Sequence, residues 1–295
     1  DDHVLPVYGV DQWRDTPYLV TQYSRGETLQ QRLGRDGPLE LNEILRIGMQ
    51  TAKALAAAHS QGLVHRDVKP SNILLNDNVE RALLSDFGLA RAVDDASLTR
   101  TGVLAGTPQY MSPEQARAEK VEQKSDLFSL GAVLYAMCTG HPPFRAESSY
   151  GVLRLIADKE PGKIREINPD IPDWLCAIIA KLMSKQADDR FGSAKEVAVL
   201  LNDCLAHVQQ PTTAPLPDAV NRLSKVIRKP QGSIWGRSGY GKRLLGGAAS
   251  LAFVLAAVVI VLELKKGTLT IKSDVDGVSI QISQGDEIVE ELTVA

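Results

Sequence analysis

The motif His65-Arg66-Asp67-Val68-Lys69-Pro70-Ser71-Asn72 is followed by Asp86-Phe87-Gly88, with Asp86 14 residues beyond Asn72. That spacing constrains the fold more than any other feature of the chain. Short apolar runs, Ile73-Leu74-Leu75 and Ala82-Leu83-Leu84, flank Asn76-Asp77-Asn78 and predict a small hairpin between the two motifs. Two carboxylates, an amide and a lysine are thereby brought onto neighbouring loops. Phosphoryl transfer needs an acceptor for a hydroxyl proton and hard oxygen ligands for Mg²⁺, and it relies mostly on positioning and charge neutralisation. In such chemistry Asp67 takes the base position, and Asn72 and Asp86 take the metal positions. An Asp-rich turn followed by a chance Asp-Phe-Gly is the bland alternative; eight ordered positions and a matching second motif argue against it.

With these residues the chain resembles the eukaryotic-like Ser/Thr protein kinases, in particular bacterial receptor-type members, over about residues 3–205. Ser112-Pro113-Glu114 is similar to the family's Ala-Pro-Glu motif, and Asp126-Leu127-Phe128-Ser129-Leu130-Gly131 to the Asp-x-x-Ser-x-Gly opening of its next buried helix. Arg190 stands where the family places the arginine that pairs with the motif glutamate, here Glu114. The opening Val4–Val10 resembles the family's fourth strand and Pro17–Thr21 its fifth. Upstream there is no Gly-x-Gly-x-x-Gly segment and no Val-Ala-x-Lys strand. The expectation is therefore an N-terminally truncated α+β chain with a protein-kinase-like fold: mainly the helical C-terminal lobe, with a remnant of the N-lobe sheet.

Helical periodicity supports that reading. Leu41, Ile44, Leu45, Met49, Ala52, Leu55 and Ala56 fall on one face and predict a long core helix from Leu39 to about His59, which Gly62 is placed to end. Helical patterns return over Gln123–Gly140 and Trp174–Ser184. Net charge is −3, from 33 basic and 36 acidic residues, which leaves no global nucleic-acid footprint. Cys138, Cys176 and Cys204 are widely spaced and read as small core residues of a reducing compartment.

After His207 the composition changes. Gln209–Pro217 reads as a linker, and residues 208–243 as linker plus a basic segment carrying Arg222, Lys225, Arg228, Lys229, Arg237, Lys242 and Arg243. Leu244 to Leu262 is 19 residues without a charge. At about 1.5 Å per residue a helix there spans roughly 28 Å, close to a bilayer's hydrocarbon thickness. A transmembrane helix over 244–262 is the expectation. Seven basic residues in the 22 before it, against three soon after, put the kinase lobe in the cytoplasm and residues 267–295 outside, in a single-pass membrane protein. Alternation at Leu269/Ile271 and Val278/Ile280/Ile282 around Asp276-Gly277 predicts the hairpin start of an exported β domain. The expected division is thus 1–24, N-lobe remnant and hinge; 25–207, C-terminal lobe; 208–243, linker and basic segment; 244–262, span; 267–295, β segment.

The resemblance also implies roles. Asp67 orients the acceptor hydroxyl and takes its proton, and Lys69 sits against the transferring phosphate, a position that favours Ser or Thr acceptors. Asn72 and Asp86 hold Mg²⁺, with Mn²⁺ as an alternative ion. ATP is held at a hinge from Gln22 to Ser24, with Thr21 behind it and Leu74 as an apolar floor. Arg66 pairs with a phosphate on Thr99 or Thr101, and Thr107 shapes the acceptor site. Two functions from different classes follow: a membrane-anchored receptor-type Ser/Thr protein kinase acting on protein substrates, or a pseudokinase scaffold that binds partners without catalysis. The four intact residues favour the enzyme, although the 295 residues by themselves are expected to be poorly active. A homodimer through the kinase or external domain is compatible with the first reading.

Overall fold

The computed structural model describes residues 1–13, 16–24, 26–76, 80–87, 108–228, 261–264, 267–274, 277–284 and 287–294. They fall into two units, Asp1–Gly232 and Ser233–Ala295.

The first unit opens with an antiparallel pair, β1 (Val7–Trp13) and β2 (Thr16–Thr21). Just before it, the chain runs beside the strand that leads to Asp86: Leu5 N–H donates to Leu84 O at 2.9 Å and Leu84 N–H to His3 O at 2.8 Å. A short strand β3 (Glu27–Thr28) leads into α1 (Leu29–Asp36). Thr28 caps this helix by accepting from Gln31 N–H, while the Gln31 side chain accepts from Thr28 N–H, so two otherwise orphaned donors are satisfied.

The long helix α2 covers Leu41–Ser60. It starts two residues later than its periodicity predicts, because Pro38 and Leu39 precede an extended Glu40 at the N-cap. Gly62 adopts φ +75° just past its end, a conformation that suits a residue without Cβ. The predicted hairpin forms as β4 (Ile73–Asn76) and β5 (Arg81–Leu84), and β3 pairs with β4 to complete a three-stranded antiparallel sheet.

A short helix α3 (Pro113–Ala116) precedes α4 (Gln123–Thr139). Apolar on all sides, α4 has 15 of its 17 residues buried, so it forms the centre of the core rather than an amphipathic face. Around it lie α5 (Ser149–Asp158), α6 (Ile164–Ile167), α7 (Asp173–Leu182) and α8 (Ala194–Gln209). Gly48 and Gly131 let helices approach closely. A Cβ on Gly48 would stand 2.7 Å from Leu134 Cδ2, and one on Gly131 would stand 2.8 Å from both Leu182 Cβ and Met183 Cγ.

The chain does not leave the lobe at residue 207. α8 continues to Gln209, and a turn returns the chain so that His207 Nδ1 donates to Ala214 O at 2.8 Å. Helix α9 (Asp218–Arg228) then docks against α7, with Val220 fully buried and Leu216 and Leu223 packed on the core. Proline and threonine in Gln209–Pro217 suggested a free linker, but burial of these three apolar side chains holds the segment down.

The second unit is an antiparallel meander of β6 (Val261–Leu264), β7 (Gly267–Asp274), β8 (Gly277–Gln284) and β9 (Glu287–Val294). Leu269 pairs with Ile282 and Ile271 with Ile280, so the alternating segments share a register. Residues 244–260 of the expected membrane helix lie outside the described residues. Its last two residues correct the expected boundary: Val261 and Leu262 open β6, opposite Thr270 and Leu269, because ladder pairing with β7 satisfies their backbone groups. Among the described residues, no helix is long and apolar enough to cross a membrane.

Candidate active site

The two motifs meet where the loop after α2 crosses the end of β5. Asn72, in the tight turn before β4, donates its amide to Asp67 O at 2.8 Å and to Asp67 Oδ2 at 3.0 Å. Lys69 Nζ lies 2.7 Å from the same Oδ2. Asp67 is thus held by an amide and an ammonium, yet 38% of its side chain stays exposed and can receive a substrate group. Across the hairpin, Asn72 O accepts from Ser85 N–H at 2.9 Å, which ties the first loop to the strand end carrying Asp86. Asp86 Oδ2 accepts from Ser85 Oγ at 3.0 Å, and Asp86 has φ +62°. A left-handed backbone is tolerated by Asp better than by most residues, and here it turns the side chain out at the strand end.

His65 fixes the geometry from beneath. Its Nε2 donates to Ser85 O at 2.8 Å, its Nδ1 accepts from Asp67 N–H at 3.2 Å, and its ring lies 4.6 Å from that of Phe87. Burial lowers the His65 pKa against the opposing pull of Asp126 and Ser85, in keeping with a neutral ring that donates at one nitrogen and accepts at the other.

Four supporting residues were not given a role from the sequence. Asp126, on α4, accepts from His65 N–H at 2.9 Å, Arg66 N–H at 2.8 Å and His59 Nε2 at 2.7 Å. Gln115 donates to Arg66 O at 2.7 Å. Arg66, at φ +68°, is therefore gripped at both its N–H and its C=O, which offsets a strain of about 1–3 kcal/mol. His59 and Ser85 complete the support. Asp126 stood within a recognised motif, but nothing local to it indicates which amides it meets.

Next to Gln115, Glu114 forms a two-pronged pair with Arg190: Nη1 to Oε1 at 2.7 Å and Nη2 to Oε2 at 2.8 Å, with Ser125 Oγ donating to Oε1 at 2.6 Å. Arg190 spends its other N–H groups on Ser184 O, Lys124 O and Lys185 O, so all five are satisfied although its side chain is wholly buried. Burial pushes the Glu114 carboxyl up, but the bonds from Arg190 and Ser125 more than offset this and hold its pKa at about 2.

The residues expected at a nucleotide hinge lie apart from this network. Gln22 N–H donates to Pro6 O at 2.9 Å, Ser24 Oγ donates to Asn76 Oδ1 at 2.6 Å, and half-buried Leu74 sits in β4 opposite Thr28 and Leu83. Thr21 and Asp86 do share a cavity of about 490 Å³, lined also by Leu5, Leu19, Ala57 and Phe87. Thr99, Thr101 and Thr107 lie outside the described residues. No ion pair reaches the Arg66 guanidinium among the described residues.

No group of three or more His, Cys, Asp or Glu forms a metal cage among the described residues. Asn72 Oδ1, with its amide nitrogen committed to Asp67, and the Asp86 carboxylate instead offer two hard oxygen donors on adjacent loops. That partial set fits Mg²⁺, which keeps waters and substrate oxygens in the rest of its shell.

The protein kinase domain family matches residues 1–205. The serine/threonine-protein kinase PknB of Mycolicibacterium smegmatis is 38% identical over 218 residues, which is 72% of this chain and 34% of that protein. The serine/threonine-protein kinase PknH of Mycobacterium bovis is 35% identical over 219 residues, 73% of this chain and 36% of that protein. A probable serine/threonine-protein kinase of Clostridium acetobutylicum is 35% identical over 196 residues, 66% of this chain and 30% of that protein. The chain therefore spans about a third of the length of the curated relatives it matches.

Proposed function

The chain belongs to the protein kinase domain family, and we propose that it is the larger lobe of a serine/threonine kinase that moves the γ-phosphate of ATP to protein Ser or Thr hydroxyls. The observation that carries this reading is Asp67, held by Lys69 and Asn72 and one loop away from Asp86. In this role an Asp67 carboxylate oxygen accepts the proton of the acceptor hydroxyl, and Lys69 places positive charge beside the transferring group. Asn72 and Asp86 would hold Mg²⁺, which supplies charge neutralisation on the phosphate oxygens when bound. Gln22 to Ser24 with Leu74 would seat the adenine, and Arg66 would pair with a phosphate on Thr99 or Thr101, with Thr107 facing the acceptor. The intact set of four polar groups weighs against a scaffold without catalysis, which has no physical need for all of them.

We also propose that the protein is anchored to a membrane through the stretch that starts at Leu244 and ends before β6, with the lobe on the cytoplasmic side. Support comes from the absence of charge over residues 244–260 and the excess of basic residues before them.

Expressed behind a glycine-rich loop and a strand lysine, the chain is expected to incorporate phosphate into added protein. Asp67→Asn is expected to lower that rate by about 10²–10⁴ with unchanged folding. Near-normal incorporation by the variant would remove Asp67 from the base position.

A further inference from the structure

Gln115 divides its side chain between two loops. Its Oε1 accepts from Ser112 N–H at 3.0 Å and from Ser112 Oγ at 3.2 Å, which closes the cap of α3. Its Nε2 donates to Arg66 O at 2.7 Å, across 49 positions of the chain. A donor on one side and an acceptor on the other admit one orientation of the amide, so the side chain is fixed at both ends. The backbone beside it is held as well, because Glu114, one residue earlier, is tied to Arg190 and Ser125.

The carbonyl that Gln115 grips belongs to the peptide group joining Arg66 to Asp67. At the other pole of that group, Asp67 N–H donates to His65 Nδ1 at 3.2 Å. A peptide group is rigid and planar, so holding both poles fixes its plane, and the plane sets how the Asp67 side chain leaves the backbone. Asp126 acts elsewhere: it takes the N–H groups of His65 and Arg66, which belong to the two preceding peptide groups.

We infer that Gln115 is a positioning residue for phosphoryl transfer: it aims the Asp67 carboxylate at the acceptor hydroxyl and makes that aim depend on the seating of α3. This rests on the role proposed above for Asp67 and deepens it. The hydrogen bonds of the Gln115 side chain go to Ser112 and Arg66, not to the residues assigned to ATP or Mg²⁺. Its loss should therefore act on turnover and leave ATP affinity alone. Misplacing a reacting group by about 1 Å costs about 10²-fold in rate.

Gln115→Glu is the test, because it keeps the oxygen that caps α3 and removes the N–H that holds Arg66 O. In the chain expressed behind a glycine-rich loop and a strand lysine, kcat is expected to fall about 10–100-fold, with KM for ATP within about twofold and the melting temperature near the parent's. A parent-like kcat, or a loss carried by KM for ATP, would overturn the proposal. A second readout, hydrogen exchange followed by NMR in the 295-residue chain, needs no activity. The Asp67 amide should exchange about tenfold faster or more in the variant, because a looser peptide plane weakens its bond to His65. The Ala116 and Arg117 amides, bonded to Ser112 O and Pro113 O within α3, should keep their rates. Unchanged exchange at Asp67, or equal acceleration at all three amides, would also overturn it and leave Gln115 as a cap of α3 only. Should Gln115→Glu fold poorly, Gln115→Met, of similar size and without the donor, is judged by the same kcat-against-KM split. A parent that incorporates no phosphate would sink the transfer reading instead, and the exchange at Asp67 then decides whether Gln115 positions it.

Discussion

Asp126 accepts the backbone N–H of Arg66 at 2.8 Å from 60 residues away, and through its other oxygen it takes the N–H of His65 and the ring of His59. A buried carboxylate on the central helix thereby fixes the loop that carries Asp67. The loop's left-handed Arg66 is held by packing and hydrogen bonds, not by a local preference of arginine.

Removing that carboxylate should be costly. Asp126→Ala leaves two buried amide groups and one ring nitrogen without an acceptor, and is expected to destabilise the lobe by about 3–5 kcal/mol. Asp126→Asn keeps one acceptor oxygen and should lose less, about 1–3 kcal/mol. Urea unfolding with an unchanged m-value measures both. An alanine variant within about 0.5 kcal/mol of the parent would show that the clamp carries no stability.

Acid should release the Glu114–Arg190 pair late. The Glu114 pKa falls from 4.5 in the unfolded chain to about 2 in the fold, so its stabilisation is complete above about pH 5 and is lost as pH drops toward 2. With allowance for partial screening this is on the order of 2 kcal/mol. Glu114→Gln should flatten the stability profile between those limits. A profile in the variant that falls as steeply as the parent's would assign the acid sensitivity to other carboxylates.

Two glycines should respond with opposite signs to the same substitution. Gly131→Ala drives a methyl into Leu182 and Met183 and should destabilise by about 1–3 kcal/mol. Gly34→Ala, in α1 with nothing within 4 Å of the added methyl, should stabilise by about 0.5–1 kcal/mol through helix propensity. Thermal melts of the two variants that shift in the same direction would contradict this account of helix packing.

Phosphate on Thr99 or Thr101 should be present in active protein, where it gives the Arg66 guanidinium a bidentate partner. Double replacement of both threonines by alanine is expected to reduce activity several-fold without lowering the melting temperature. Mass spectrometry that finds neither threonine modified in fully active protein would remove the switch.

What the sequence by itself determined was everything that short-range pattern can encode. The hairpin of Ile73–Asn76 and Arg81–Leu84 follows from two apolar runs around polar residues, and it sets Asn72 and Asp86 close together. The spacing from Leu41 to Ala56 predicted α2 and the helical pattern over Gln123–Gly140 predicted α4, but packing also buried Ile47, Gln50, Thr51 and Ala54 of α2 and enclosed α4 on every side. Sequence also paired Glu114 with Arg190, though only through likeness to a family. Tertiary structure alone decided which groups Asp126 meets, that Gln115 holds Arg66 by its carbonyl, and that α9 lies against α7 instead of trailing away. The reason is physical. Each of these contacts joins residues whose separation along the chain is dozens of positions, and local periodicity is blind to where a packed core will bring a distant amide or an apolar face.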